Sequence, residues 1–375
     1  TEDAGASRHR SRSSFADPRP IEERERCRPR CGKEARQRTR GHRKGEGGLK
    51  LLCVDIGAGT RDILLYDTSR RPENCIKMVL PSPSPLYAAR VGEETARSRH
   101  LYLDGCVIGG GALTRAVKRH LAAGLKVFAS RDAAFCLRNN LDDVAEMGVE
   151  VVQEEPPGFD GASMHLDELD LSPLESLLLT VGESLQEVSG AGVAVQDHGF
   201  YERGESNRKV RLAYMRRALE EDPFPTGLAY ERQNLPAAFP RMRSALERMG
   251  QQLPCDRLVV MDTAPAAVLG CLADPRVEER SAGNLLLVNA GNGHTMACIL
   301  SGGRVVGLLE HHTARLEPAA FGAYLELFCA GKARDEDLYM RDGHGLFYLE
   351  EPPGLERVDM VAVTGPNRGL MLESG

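Results

Sequence analysis

Three short glycine-bearing turns, each at the end of an apolar run, constrain this chain more than any other feature. They are Asp55-Ile56-Gly57-Ala58-Gly59-Thr60, Asn289-Ala290-Gly291-Asn292-Gly293-His294-Thr295 and Thr364-Gly365-Pro366-Asn367-Arg368. Glycine tolerates positive φ and close backbone approach, so successive N–H groups at such a turn can converge on a phosphate. Any one of them alone need only close a hairpin. The first follows the run Leu51–Val54 and precedes the β-like run Ile63–Tyr66, so it joins two strands. That excludes a dinucleotide fingerprint, whose glycines must open a helix, and Asp62 stands where its third glycine would be. No G-x-x-x-x-G-K-[ST] occurs, so a P-loop is absent as well.

The remaining pattern alternates between periods of two and 3.6 residues. Strands are predicted at 51–54, 63–66, 74–80, 125–128, 149–152, 192–196, 258–261, 285–288, 295–300, 305–309 and 360–363. Helices are predicted up to about His120, over Asp132–Met147, from Ser172-Pro173 to about Val188, and over 208–220, 265–272 and 318–330. The second half repeats the first as strand, turn, strand, turn, strand, helix. This is an α/β layer architecture with mixed sheets. Residues 49–196 read as one domain, 197–256 as an insertion or inter-domain segment, and 257–375 as a second domain.

Residues 1–48 carry 14 basic and 8 acidic side chains, against 34 and 46 in the rest. With Phe15 and Ile21 as their only large apolar residues, they predict a disordered basic tail. The acidic body disfavours sequence-independent binding to a phosphate backbone. Zero Trp and 5% aromatics leave little for a base-stacking platform, so nucleic acid is a poor partner. No apolar run approaches 18 residues, which argues against a membrane span. Ten scattered Cys without C-x-x-C pairs, including Cys53, Cys298 and Cys329 in apolar stretches, suit buried thiols in a reducing cytoplasm.

Asp197-His198, directly after the strand 192–196, is the best acid–base candidate, since an imidazole titrates near neutrality. The alternative is a helix-capping Asp beside a surface His. His198, His294, His311, His312 and His344 all lie near turns, and Glu310-His311-His312 and Asp342-Gly343-His344 offer ligand types suited to Zn²⁺. No H-E-x-x-H spacing is present, so the sequence does not say whether they converge.

The segment LLCVDIGAGTRDILLYD at 51–67 resembles the first phosphate hairpin of the actin, sugar-kinase and heat-shock-chaperone superfamily. MDTAPAA at 261–267 resembles its connecting helix, NLLLVNAGNGHTMACIL at 284–300 its second phosphate hairpin, and VAVTGPNRGL at 361–370 its adenosine turn. The resemblance implies two actin-like (ribonuclease-H-like) domains whose mixed sheets face a shared nucleotide cleft, with ATP and Mg²⁺ as cofactors. It implies that Asp55 holds a water-ligated Mg²⁺ and that the N–H groups of Gly57, Gly59 and Thr60 cradle phosphate. Gly291, Asn292, Gly293 and Thr295 would form the second clamp, and Gly365, Pro366, Asn367 and Arg368 would flank the adenosine. Asp197 would correspond to the sugar-kinase base. The superfamily usually has Asp where Asn289 stands, and an amide supplies no charge to bind metal or orient water. It also implies a helix after the third turn, which a chain closing at Gly375 would lack.

More narrowly, ENCIKMVLPSPSP, VQDHG, EHHT, DGHG and TGPNR resemble an uncharacterised prokaryotic family labelled a pyruvate formate-lyase activating enzyme. Radical chemistry of that kind needs C-x3-C-x2-C thiolates for a [4Fe–4S] cluster. The nearest match is Cys27-x3-Cys31, with Glu34 in the third place. Three functions therefore stand open: an ATP-dependent phosphotransferase or slow ATPase, a nucleotide-dependent activator that engages a protein partner, and a metal-dependent hydrolase. The substrate, a small molecule or a protein, is unknown.

Overall fold

The computed structural model describes residues 48–202, 207–340 and 343–373. The expected tail over 1–48, Gly48 excepted, lies outside the described residues, as does Asp342.

The described residues open with an antiparallel meander, β1 (Lys50–Ile56), β2 (Thr60–Asp67) and β3 (Ile76–Pro81). Leu52, Val54, Ile56, Ile63 and Leu65 alternate onto one buried face, as a half-covered sheet requires. The Pro81–Pro85 stretch does end β3, but Pro83 then opens a helix, Pro83–Ala96, because its fixed φ and missing N–H cost nothing in a first turn. A separate parallel sheet follows: β4 (Leu101–Gly105), β5 (Val127–Ala129), β6 (Val149–Val151) and β7 (Ala162–Leu166), in the order β6-β5-β4-β7. The helix expected over Asp132–Met147 is two, Arg131–Phe135 and Leu141–Glu146. Asn140 divides them by capping the second with its side chain, accepting from Asp142 N at 2.8 Å. The helix from Ser172 stops at Thr180, not Val188; Gly182, at φ +77°, ends it in the left-handed conformation.

β8 (Val188–Val195) then returns to lie parallel beside β1, followed by β9 (Ala229–Tyr230) and β10 (Leu258–Met261). The first sheet runs β3-β2-β1-β8-β10-β9. β10, read from sequence as the start of the second half, is hydrogen-bonded parallel to β8 and so lies in the first sheet. The second sheet comprises β11 (Asn284–Ala290), β12 (His294–Ser301), β13 (Arg304–His312), β14 (Gly343–Tyr348) and β15 (Met360–Thr364), in the order β14-β13-β12-β11-β15. Each mixed sheet therefore has a three-stranded meander whose first strand takes a parallel neighbour, β8 for β1 and β15 for β11.

The second sheet is covered on both faces. Leu285, Leu287, Met296 and Cys298 enter one core, while Leu286, Val288, Ala297 and Ile299 enter another with Phe321 and Phe328. Burial on both sides is why β11 reads as a continuous apolar run. Each such Leu contributes about 1.5–3 kcal/mol. Only one face of the first sheet carries a comparable core, and Cys53 on the other face is exposed, contrary to the expectation of a buried thiol. Cys298 and Cys329 are buried as expected.

The 197–256 segment ties the two mixed sheets together. Leu212, Met215 and Leu219 of the helix Asn207–Glu221 pack under the second sheet, while Met242, Leu246 and Met249 of Pro240–Gln252 pack under the first. No helix among the described residues is long and apolar enough to cross a membrane.

Candidate functional site

All three glycine turns open onto one cavity of about 1030 Å³. Asp55, Gly57, Ala58 and Thr60 line it from the first sheet, Asn289 and Gly291–Gly293 from the second, and Thr364–Pro366 from the third turn. The two hairpin tips come close: a Cβ placed on Gly59 would lie 3.5 Å from Asn292 Nδ2. A further wall is the N-terminal end of the helix Gly111–Ala122, with Arg115 and Arg138 beside it.

Inside the hairpins the backbone bonding differs from expectation. Gly57 N–H donates to Thr60 O at 2.9 Å and Gly291 N–H to His294 O at 3.0 Å, so both close their own turns and are not phosphate donors. Asp55 and Asp62 are direct cross-strand partners. Asp55 stays open to the cleft yet is ringed by its walls. That burial, then repulsion from Asp62 and Asp262, lifts its carboxyl to about 6 against the pull of Arg241. Crowded negative charge of this kind is what a hard, oxygen-seeking cation relieves.

Thr295 does not belong to the clamp. It is fully buried, with Oγ1 3.0 Å from Thr313 Oγ1, because strand alternation turns it, the second residue of β12, to the face opposite His294. Thr295→Val is expected to lose about 1 kcal/mol of stability in a urea melt and to leave ligand affinity in the cleft unchanged. Asn367 is a staple: its N–H donates to Ala290 O at 3.0 Å and its Nδ2 to Gly291 O at 2.9 Å, fastening the third turn to the second hairpin. Arg368 is exposed, outside the cavity lining, and folds back onto Gly365 O at 3.0 Å. Gly365 has φ +96°, and a Cβ there would overlap the Ala290 carbonyl. Gly365→Ala is therefore expected to cost about 1–3 kcal/mol, read from the shift in denaturation midpoint.

Asp197 is buried, and backbone N–H groups occupy both of its carboxylate oxygens. Gly199 N lies 2.9 Å from Oδ1, and Arg241 N and Met242 N lie 2.8 and 3.1 Å from Oδ2. Burial lifts its carboxyl to about 6, with those N–H groups and Arg241 pulling the other way. It caps the helix Pro240–Gln252 and does not orient His198. The helix-capping role of Asp197 is the one the geometry supports, but His198 is part-buried against His294 and His344, not a surface histidine.

A buried polar chain that the sequence reading missed runs behind the cleft. Arg211, fully buried, pairs through Nε and Nη2 with Asp262 at 3.0 and 2.7 Å, and through Nη1 with Glu310. It thus bridges the end of β10 to β13, one sheet to the other. Arg241 makes a second two-pronged pair with Glu168, both contacts 2.8 Å, and donates to Gln196 O at 2.8 Å. Glu168 in turn accepts from Gly109 N at 3.0 Å, linking the parallel-sheet layer to the cleft.

Four of the five turn histidines converge. His294 and His312 are cross-strand partners with ring centroids 5.0 Å apart, and His344 sits 4.5 Å from each. His198 completes the group, 5.8 Å from His294 and 5.7 Å from His344. One ring nitrogen from each of His198, His294 and His344 falls within 4.8 Å of the other two. Burial above all, then the Arg211 charge among others, holds His198 well below the usual histidine range; burial likewise brings His294 and His344 to about 2. His311 faces the other way, against Phe321.

Fold and site together define an α/β protein with two facing glycine hairpins over a polar cleft. The chain belongs to the family described as "Putative pyruvate format-lyase activating enzyme (DUF1786)", which matches residues 108–370. The match takes in the second hairpin, the third turn and the histidines, but not the β1–β2 hairpin. Within it Cys136, Cys255, Cys271, Cys298 and Cys329 are far apart in sequence, so the C-x3-C-x2-C thiolate motif does not occur there. No curated protein matches the chain. Among solved structures, it is similar to a ROK family transcriptional regulator, a homolog of the E. coli MLC protein, at 10% identity and TM-score 0.24 over 69% of this chain and 38% of that one. It is also similar to a Ppx/GppA family member from Aquifex aeolicus, at 10% identity and TM-score 0.20 over 76% and 62%. The chain spans less than two thirds of either structure.

Proposed function

We propose that this chain binds ATP with Mg²⁺ in the cleft and acts as a slow ATPase or phosphotransferase. The observation that carries this reading is the opening of all three glycine turns, from two separate sheets, onto one cavity with the two hairpin tips close to each other. With Gly57 and Gly291 closing their own turns, the phosphate cradle falls to the tip residues Ala58, Gly59, Asn292 and Gly293. Asp55, crowded by Asp62 and Asp262, would hold the Mg²⁺ through water. Bound Mg²⁺ neutralises charge that develops on the transferred phosphoryl group. Thr364, Gly365 and Pro366 would face the nucleoside end.

Asn289 and the fully hydrogen-bonded Asp197 leave the cleft without an obvious carboxylate base at either position, which favours slow turnover. The same observation favours a second reading, a nucleotide-dependent activator that closes around ATP to engage another protein. Thermal unfolding with ATP–Mg²⁺ tests binding: at 100 times Kd about 2.7 kcal/mol of stabilisation is expected, and no shift would refute nucleotide binding. Phosphate release measured under the same conditions separates enzyme from sensor.

A further inference from the structure

We infer that His198, His294 and His344 form a transition-metal site beside the cleft, separate from the Mg²⁺ position at Asp55. The site would take one divalent ion of the zinc class through three imidazoles, with a fourth position open to the cavity.

The three donors come from distant parts of the chain: the loop after β8, the first residue of β12, and β14. Their ring nitrogens nevertheless lie within 4.8 Å of one another. Ligands held tetrahedrally at ~2.1 Å stand roughly 3.4 Å apart, so each ring need move by less than about 1 Å. Nε2 of His294 and Nε2 of His344 are buried without a hydrogen-bond partner. A buried polar atom left so is costly, and a shared ion would take one nitrogen from each ring.

Two of the three rings, His344 and His294, also have the outer partner that metal-bound imidazoles usually have. Glu310 Oε2 stands 3.1 Å from His344 Nδ1, and Gln196 Nε2 stands 2.8 Å from His294 Nδ1. The oxygen and nitrogen of a glutamine amide are interchangeable by a flip. With Oε1 turned toward Nδ1–H, Gln196 fixes the tautomer that leaves His294 Nε2 its lone pair. Imidazole donors select Zn²⁺, Fe²⁺, Co²⁺ or Ni²⁺ over Mg²⁺. His198 and His294 line the cavity while His344 is buried behind them, so the fourth position faces the cleft. Three protein ligands with an open position are the arrangement of catalytic zinc, which keeps a water or substrate oxygen there.

The test is a Co²⁺ titration of the full-length, untagged chain after removal of metal, with visible d–d bands as the readout. One equivalent per chain is expected to give tetrahedral-type bands that Zn²⁺ abolishes and Mg²⁺ does not. Gln196→Ala is expected to weaken the affinity about 10–100-fold, and the paired change His198→Ala with His294→Ala to eliminate the bands while circular dichroism stays unchanged. Absence of bands in the wild-type chain would overturn the site without recourse to any variant. Equal binding by a folded double variant would overturn it as well.

Discussion

Arg211→Met is expected to destabilise the chain by about 3–5 kcal/mol, the largest loss from any single polar substitution here. The side chain is fully buried between Asp262 and Glu310, themselves buried. Removing the cation leaves two desolvated carboxylates with no counter-charge, one directly after β10 and the other on β13 of the other sheet. The attraction between the ions themselves is not the source of the loss, since burying them costs nearly as much as pairing them returns. A rescue follows from that distinction. Adding Asp262→Asn and Glu310→Gln to Arg211→Met removes both stranded charges and is expected to recover most of the stability. Asn also keeps an oxygen for the 3.2 Å helix-capping bond from Ala264 N. Urea unfolding followed by circular dichroism is the appropriate measurement, because the chain has no Trp to report fluorescence. A loss below about 1 kcal/mol in the single variant would show that the carboxylates are solvated after all.

Asp55→Ala is expected to remove the Mg²⁺-dependent part of nucleotide affinity, at least about 30-fold or some 2 kcal/mol, while leaving the fold intact. The carboxylate is open to the cleft and faces Asp62 across the β1–β2 ladder, so its removal relieves repulsion and empties no core. Calorimetric titration with ATP, with Mg²⁺ and with a chelator, reads the difference. Wild-type affinity that does not depend on Mg²⁺, or a variant that keeps the dependence, would reduce Asp55 to a turn residue.

Much of this site could be seen in the residues alone, for a specific reason. Glycines clustered at the ends of apolar runs mark places where the backbone must turn sharply, and all three marked turns line the cavity. Strand parity was legible too: alternation along β12 turns Thr295 inward and His294 toward the cleft, which the resemblance to known phosphate hairpins obscured. Partnership between distant segments was not legible. Nothing local in Leu258–Met261 says that it pairs with β8, because a parallel ladder joins strands through long connections. Arg211 sits in an Arg-rich helix that looks solvent-facing, and only the approach of Asp262 and Glu310 from two sheets gives it a role. The histidines were visible as metal-ligand types, but their convergence rests on β12, β13 and β14 lying side by side, and β14 itself was missed.

The most direct test of the nucleotide cleft is a crystal structure of the chain with Mg²⁺ and a non-hydrolysable ATP analogue. The β- and γ-phosphates should lie between residues 58–59 and 292–293, the metal's water shell should reach Asp55, and the base should sit against Gly365 and Pro366. An analogue that binds elsewhere, or a cleft that stays open at saturating concentration, would contradict it.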